Sequence, residues 1–387
     1  MAREIPLDPD ADGFLDPAIG YAGGAGAVCP MRVPASGAGV LVLREHRGVL
    51  LALSDRRFSI ARVEDRYATT GSAFRSAADL PRLDPPETTA IRRPLGVVFS
   101  ERAVERHRDG LLAVARSLAS AGPAELVADY CEPFVAAAAS SSMGFPLADW
   151  PYVLSLAGKG LGPFEHASEA ADRTAAWQEL YAYCEKLVAA KREKPDGLML
   201  SGIVAVLDRA GLPPETVLHT VATVVVGLPT PTAVLVVTAY ELLRRPAVVA
   251  ACLADPPQWT PVLNELMRYR ANFALALPRV ALADVAVNDS CVVRAGQVVV
   301  PSLLAAAHDP TRTPRPAEFD VTQDAARNIV FGAGPHLCPG AALGRQWLET
   351  GLHGLFSTLP DLRLVDEPLR WQRGILSVPE RLPVGRG

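Results

Sequence analysis

A chain of 387 residues with 49% apolar and 21% charged side chains has the composition of a globular protein with a large core, and it is long enough for one big enzyme fold. Its net charge of −4, with no long basic run, excludes an electrostatic case for nucleic acid as a partner. Six scattered cysteines (Cys29, Cys131, Cys184, Cys252, Cys291 and Cys338) form no C-x-x-C and no Cys/His cluster at zinc spacing, which argues against a disulfide framework or a zinc site.

The N-terminal stretch MAREIPLDPDADGF is too acidic and too polar for a secretory leader, so a cytoplasmic location is expected. Residues 39–56 hold two apolar runs, GVLVLRE and GVLLALSD, split by HRG, which reads as a β-hairpin. Between residues 101 and 270 apolar side chains recur at three- and four-residue steps, as in ERAVERHRDGLLAVARSLASAG and SEAADRTAAWQELYAYCEKLVAAKRE. That spacing predicts helices ending near Gly or Pro. LPPETVLHT opens a further helix with prolines in its first turn, where a missing N–H costs little. The stretch that follows, VATVVVGLPTPTAVLVVTAY from Val221 to Tyr240, carries no charge and is long enough to span a bilayer. Two prolines and four threonines interrupt it, and no basic residue lies just before it. A helix apolar all round also suits the middle of a large domain, and no membrane span is expected.

TPVLNELMRYR predicts a short amphipathic helix with Thr260 as its N-cap. Strand signals return in LPRVALADVAV and CVVRAGQVVVPSLL, followed by a loop over 308–327, a helix over 340–358 and a strand-like tail. No repeat or linker divides the chain. The expectation is one mainly α domain over residues 1–387 with a small β portion towards the N-terminus.

The chemistry is concentrated in FGAGPHLCPG, Phe331 to Gly340. Gly332, Gly334 and Gly340 allow backbone conformations closed to other residues and let a flat ligand approach closely. A cysteine at a helix N-terminus has its thiolate stabilised by the dipole and by free amide groups, which can also hydrogen-bond a metal-bound sulfur. A small buried cysteine after a loop is the plainer alternative. A dinucleotide fingerprint fails because Leu337 stands where the third glycine belongs, and covalent haem attachment fails for want of C-x-x-C-H.

This loop resembles the haem-thiolate loop of the cytochrome P-450 superfamily, F-G-x-G-x-H-x-C-x-G, at all six specified positions: Phe331, Gly332, Gly334, His336, Cys338 and Gly340. The resemblance implies the cytochrome P-450 fold with haem b as cofactor. It implies Cys338 as the axial ligand of the iron, Phe331 packed beside it and His336 at a haem propionate. Pro339 stands where many bacterial members have leucine. Glu265 and Arg268 in NELMRYR fit the family's E-x-x-R helix, which supports the haem loop. Charges at i and i+3 share a helix face. The same spacing at Glu105–Arg108, Glu241–Arg244 and Glu367–Arg370 leaves chain position to select the 265–268 pair. Arg279 in LPRVALADV and Arg92 after DPPE match arginines that pair with propionates, as a buried carboxylate requires. Three departures stand out: Thr88 for a frequent histidine, AAAHDP for A-N-R-D-P, and Glu318 where many members have arginine.

In the family the central helix crosses the distal face of the haem and carries an acid followed by an alcohol. An ungapped alignment from Gly227 puts Pro229 on the acid and Thr230 on the alcohol. A carboxylate beside a hydroxyl organises the proton delivery that oxygen activation needs, and this chain lacks the carboxylate. Pro229 and Pro231 have no N–H for the carbonyls of Val225 and Gly227, so a kink with two open carbonyls is expected. The substrate pocket is expected along Asn272, Phe273 and Leu275 of ANFALAL, with Val226 and Gly227 opposite.

The resemblance therefore implies a haem-thiolate monooxygenase that uses dioxygen and electrons from a ferredoxin and its ferredoxin reductase. Its expected substrate is a small organic intermediate of natural-product biosynthesis, and it is expected to be monomeric. Two rivals remain open: a peroxide-dependent or radical-coupling enzyme, in keeping with Pro229, and a non-catalytic haem-binding sensor or carrier.

Overall fold

The computed structural model describes residues 3–4, 28–33, 36–67, 79–161, 170–270, 274–323, 325, 328–371 and 378–387. Strand β1 (Arg3–Glu4) lies parallel to β2 (Val28–Arg32), which turns back antiparallel onto β3 (Gly39–Leu43). The hairpin is thus β2–β3, and the second apolar run is not a strand. His46–Ser54 forms helix α1, whose Gly48, Val49, Ala52 and Leu53 make one buried face. A short apolar run fits a buried strand and a buried helix equally by periodicity, and here packing decides for the helix.

Strand β4 (Phe58–Ser59) pairs with β5 (Arg279–Ala281). Beyond β5 come a two-stranded hairpin, β6 (Val285–Ala286) with β7 (Val292–Val293), and then β8 (Val298–Pro301). The sheet order is β1-β2-β3-β8-β5-β4, with β8 parallel to β3 and antiparallel to β5. The strand signals read in LPRVALADVAV and CVVRAGQVVVPSLL are borne out as β5 to β8, so the β portion is not gathered towards the N-terminus alone. Two of the six strands, β5 and β8, arrive more than two hundred residues later, and separate apolar clusters cover the two faces of the sheet.

The helical part is built from α2 (Glu87–Val98), α3 (Glu101–Glu105), α4 (Arg108–Ser120), α5 (Glu132–Ala138), α6 (Trp150–Leu161), α7 (Ala170–Glu193) and α8 (Met199–Arg209). It continues through α9 (Pro214–Gly227), α10 (Thr230–Leu243), α11 (Pro246–Ala254), α12 (Trp259–Tyr269), α13 (Leu303–Ala307) and α14 (Ala341–Thr358). A tail of β9 (Leu362–Leu364) paired with β10 (Val384–Arg386) closes the chain. Helix α12 begins at Trp259 with Gln258 at the cap position, so Thr260 is inside the helix and does not cap it.

The apolar stretch is long enough and apolar enough to cross a membrane by length and composition. In this fold it instead packs within the helical core, α9 against α7 and α8, and α10 against α11, α12 and α14. The charge-free faces noted in the sequence are what such a position requires. Leu228 and Pro229 break the stretch into α9 and α10.

Candidate active site

A chain of turns delivers Cys338 to the start of α14. The N–H of Gly332 donates to the Ile329 carbonyl (2.8 Å), that of Cys338 to the Phe331 carbonyl (2.8 Å) and that of Leu337 to the Gly334 carbonyl (3.1 Å). Gly332 and Gly334 have φ of +77° and +65°, a region that favours glycine. A Cβ on Gly334 would lie 2.5 Å from the Leu53 carbonyl oxygen, so the loop rests directly on the end of α1. Gly340 departs from expectation: its φ of −84° is open to any residue, and it caps α14. Its N–H donates to the Cys338 sulfur. Burial pushes the Cys338 thiol up, while that N–H and the nearby charges of Arg92 and Arg345 pull it down. The Phe331 ring lies beneath the Arg345 guanidinium, 4.5 Å from its centroid.

Arg92 from α2 and Arg279 from β5 both bring positive charge to His336 of the loop, and Arg92 brings it to the cysteine as well. Arg279 is 3% exposed, donates to the Leu277 carbonyl (2.6 Å), and is pushed down to about 10 by burial. His336 is pushed down to about 4 by burial and then by the charges of Arg279 and Arg92. Asp84 opposes those shifts, but its carboxylate already accepts from the Ser59 hydroxyl and the Ile60 N–H. Among the described residues this is an excess of positive charge with no ion pair to settle it. Haem b fits that donor set: a cysteine sulfur beside a helix N-terminus, and cationic groups suited to two propionates.

Glu265 and Arg268 form a buried fork, 0% and 2% exposed. Arg268 Nε and Nη2 donate to the two Glu265 oxygens at 2.7 Å each. The guanidinium also donates to the carbonyls of Ala307, Pro316 and Glu318, and Glu265 accepts from the Asp320 N–H. The pair thereby ties α12 to the loop after α13. Burial separates it from Glu105–Arg108, an ion pair of the same spacing whose side chains are 58% and 34% exposed. Glu318 does not join the fork through its side chain, which pairs with Arg315 at 3.1 Å. Arg268→Ala leaves Glu265 buried and unpaired, a loss of about 3–5 kcal/mol. Thermal denaturation should show a large fall in midpoint for Arg268→Ala and a smaller one for Glu265→Leu combined with Arg268→Met.

Thr230 and Pro229 sit at the break of the central helix, both half-buried. Of the two carbonyls expected to be open, Val225's is not, because the Leu228 N–H turns back to it at 3.1 Å. The tightened turn recovers the hydrogen bond that Pro229 withholds. Pro231 still has no N–H for the Gly227 carbonyl. Gly227 is exposed, whereas Val226 lies in the helical core and Leu275 packs in the apolar cluster on one face of the sheet. Asn272 and Phe273 lie outside the described residues.

Sequence reasoning missed Arg345 and Asp84. Arg345 follows the cysteine motif on α14 and reads there as an ordinary helix charge. Asp84 opens DPPE, where only Arg92 was singled out.

The family model described as cytochrome P450 matches residues 168–360. Nocardicin C N-oxygenase from Nocardia uniformis subsp. tsuyamanensis is 31% identical over 358 residues, covering 89% of this chain and 88% of that protein. Biflaviolin synthase CYP158A1 from Streptomyces coelicolor is 30% identical over 395 residues, covering 98% and 95%. Among solved structures, cytochrome P450mel 107F1 with biaryl coupling reactivity superposes with a TM-score of 0.84 at 28% identity, covering 92% of this chain and 93% of that one.

Proposed function

The chain belongs to the cytochrome P450 family, and from that premise we propose that it tailors a small intermediate of specialised biosynthesis in the cytoplasm, as a monomer fed by a ferredoxin and its ferredoxin reductase. It is a monooxygenase-type oxidoreductase with haem b as its cofactor. Residues 1–387 form one P450 domain in this reading. The observation that carries it is the meeting of Cys338, at the start of α14, with Arg92, Arg279 and His336 from three separate parts of the chain. The name of nocardicin C N-oxygenase supports the substrate class.

When bound, the haem supplies oxygen activation, which thiolate ligation favours at the O–O cleavage step. Cys338 holds the iron, with its sulfur steadied by the Gly340 N–H. Arg92, Arg279 and His336 take the propionates and fix their orientation. Phe331 shields the sulfur, while Gly332 and Gly334 shape the loop. Glu265 and Arg268 hold the loop after α13 in place. Gly227, exposed at the helix break, faces the substrate pocket in this reading, whereas Val226 and Leu275 pack in apolar clusters of the core. Monooxygenation places one oxygen atom in the substrate and releases the other as water, consuming two electrons and two protons. Pro229 cannot ionise, so Thr230 draws those protons from water at the Gly227 carbonyl and from a polar group on the substrate.

A second reading is favoured by Pro229 and by the structural neighbour with biaryl coupling reactivity: oxidative coupling, in which the substrate loses hydrogen and gains no oxygen. Turnover of a panel of natural-product intermediates under ¹⁸O₂, with ferredoxin and reductase, separates the two. Product heavier by one labelled oxygen supports monooxygenation. A product, within one molecule or joining two, that has lost two hydrogens for each bond formed and carries no label supports coupling, with both labelled oxygens leaving as water. Turnover by peroxide alone removes the ferredoxin requirement.

A further inference from the structure

The backbone donors around the Cys338 sulfur are fewer than a helix N-terminus ordinarily offers. The next residue, Pro339, has no N–H. The Gly340 N–H reaches the sulfur. The Ala341 N–H is turned to the Cys338 carbonyl instead, at 3.3 Å. Hydrogen bonds to a ligating sulfur draw electron density from it, so each missing donor leaves a stronger electron donor.

Positive charge stands close by in another form. Arg345 projects from α14 onto the face of Phe331, 4.5 Å from the ring centroid, and Phe331 is itself tied to the loop through the Cys338 N–H. The contact holds the guanidinium in one place beside the sulfur, and the two groups interact electrostatically. A neighbouring cation opposes donation from the sulfur and favours the reduced iron.

We propose that Pro339 makes Cys338 a stronger electron donor than an N–H-bearing residue at 339 would allow, and that Arg345 is the positioning residue whose charge opposes it. This rests on Cys338 being the iron ligand. The pairing has a chemical use. With Pro229 in place of an acid, proton delivery is weak, and a stronger push from sulfur favours O–O cleavage from the other side.

Pro339→Ala restores an N–H. In the holoenzyme the ferric/ferrous reduction potential should become less negative, and the iron–sulfur stretch in resonance Raman should fall. Pro339→Leu should move both the same way, because the N–H and not the side chain is responsible. Arg345→Gln should make the potential more negative, Arg345→Lys should recover part of that shift, and Pro339→Ala combined with Arg345→Gln should return towards wild type. Unchanged potentials and stretches in Pro339→Ala, or opposite shifts in Pro339→Ala and Pro339→Leu, overturn the role of Pro339. An Arg345→Gln potential equal to wild type overturns the role of Arg345. A wild-type carbon monoxide complex without a thiolate-type band would instead remove the ligand assignment on which both depend.

Discussion

Cys338→Ala is expected to abolish the thiolate-type Soret band of the ferrous carbon monoxide complex and all ferredoxin-driven turnover. The sulfur is where the loop's construction converges. Two glycines at positive φ, the contact of Gly334 on α1, and the hydrogen bond from the Cys338 N–H to Phe331 all fix one position before α14. None of the other cysteines shares that setting. Cys131, Cys184 and Cys252 are buried, and burial pushes Cys131 up beyond the usual thiol range, Cys184 to about 12 and Cys252 to about 11. None of these three has the neighbouring N–H and arginine charges that pull Cys338 back down. Replacing Cys29, Cys131, Cys184, Cys252 or Cys291 should therefore leave the band in place. A Cys338→Ala protein that keeps it would end the assignment.

The cysteine loop was legible because its determinants are local: glycine spacing, one sulfur and a helix start lie within ten residues. Helices with an apolar face were legible for the same reason, α7 and α14 among them. What periodicity left open was whatever depends on distant partners. His46–Ser54 reads as a strand until its face is seen buried as helix α1, and the sheet places β8 and β5 between strands drawn from the first sixty residues. Arg92 and Arg279 are far apart in the chain, and no spacing rule says that they meet beside His336; only the family resemblance joined them. Arg345 escaped because a charge on a helix is ordinary, and its significance comes from the ring beneath it. The Val225 carbonyl was read as open because a proline removes a donor, but the chain supplied another from Leu228 by tightening the turn.

Thr230→Ala should lower product formed per electron pair and raise peroxide release, with the loss greatest for substrates that carry a hydroxyl, amine or carboxylate near the iron, because those without one already couple poorly in wild type. General acid–base help is worth roughly 100- to 10,000-fold, and a lone threonine without a carboxylate realises only part of it. The break at Leu228–Pro229 leaves Thr230 as the first residue of α10, beside exposed Gly227, whose carbonyl has lost its helical donor to Pro231. Water at that carbonyl and a polar group on the substrate complete the relay in this reading. Pro229→Asp places a carboxylate at the missing position, and it should raise ferredoxin-driven coupling for substrate analogues that lack the polar group. Parallel assays with ferredoxin and with peroxide, for wild type, Thr230→Ala and Pro229→Asp, measure product and hydrogen peroxide together. Peroxide-driven turnover faster than ferredoxin-driven turnover, and indifferent to Thr230, would sink the relay. Good coupling by wild type on a substrate with no polar group near the iron would sink it as well, because Thr230 would then need no help from the substrate.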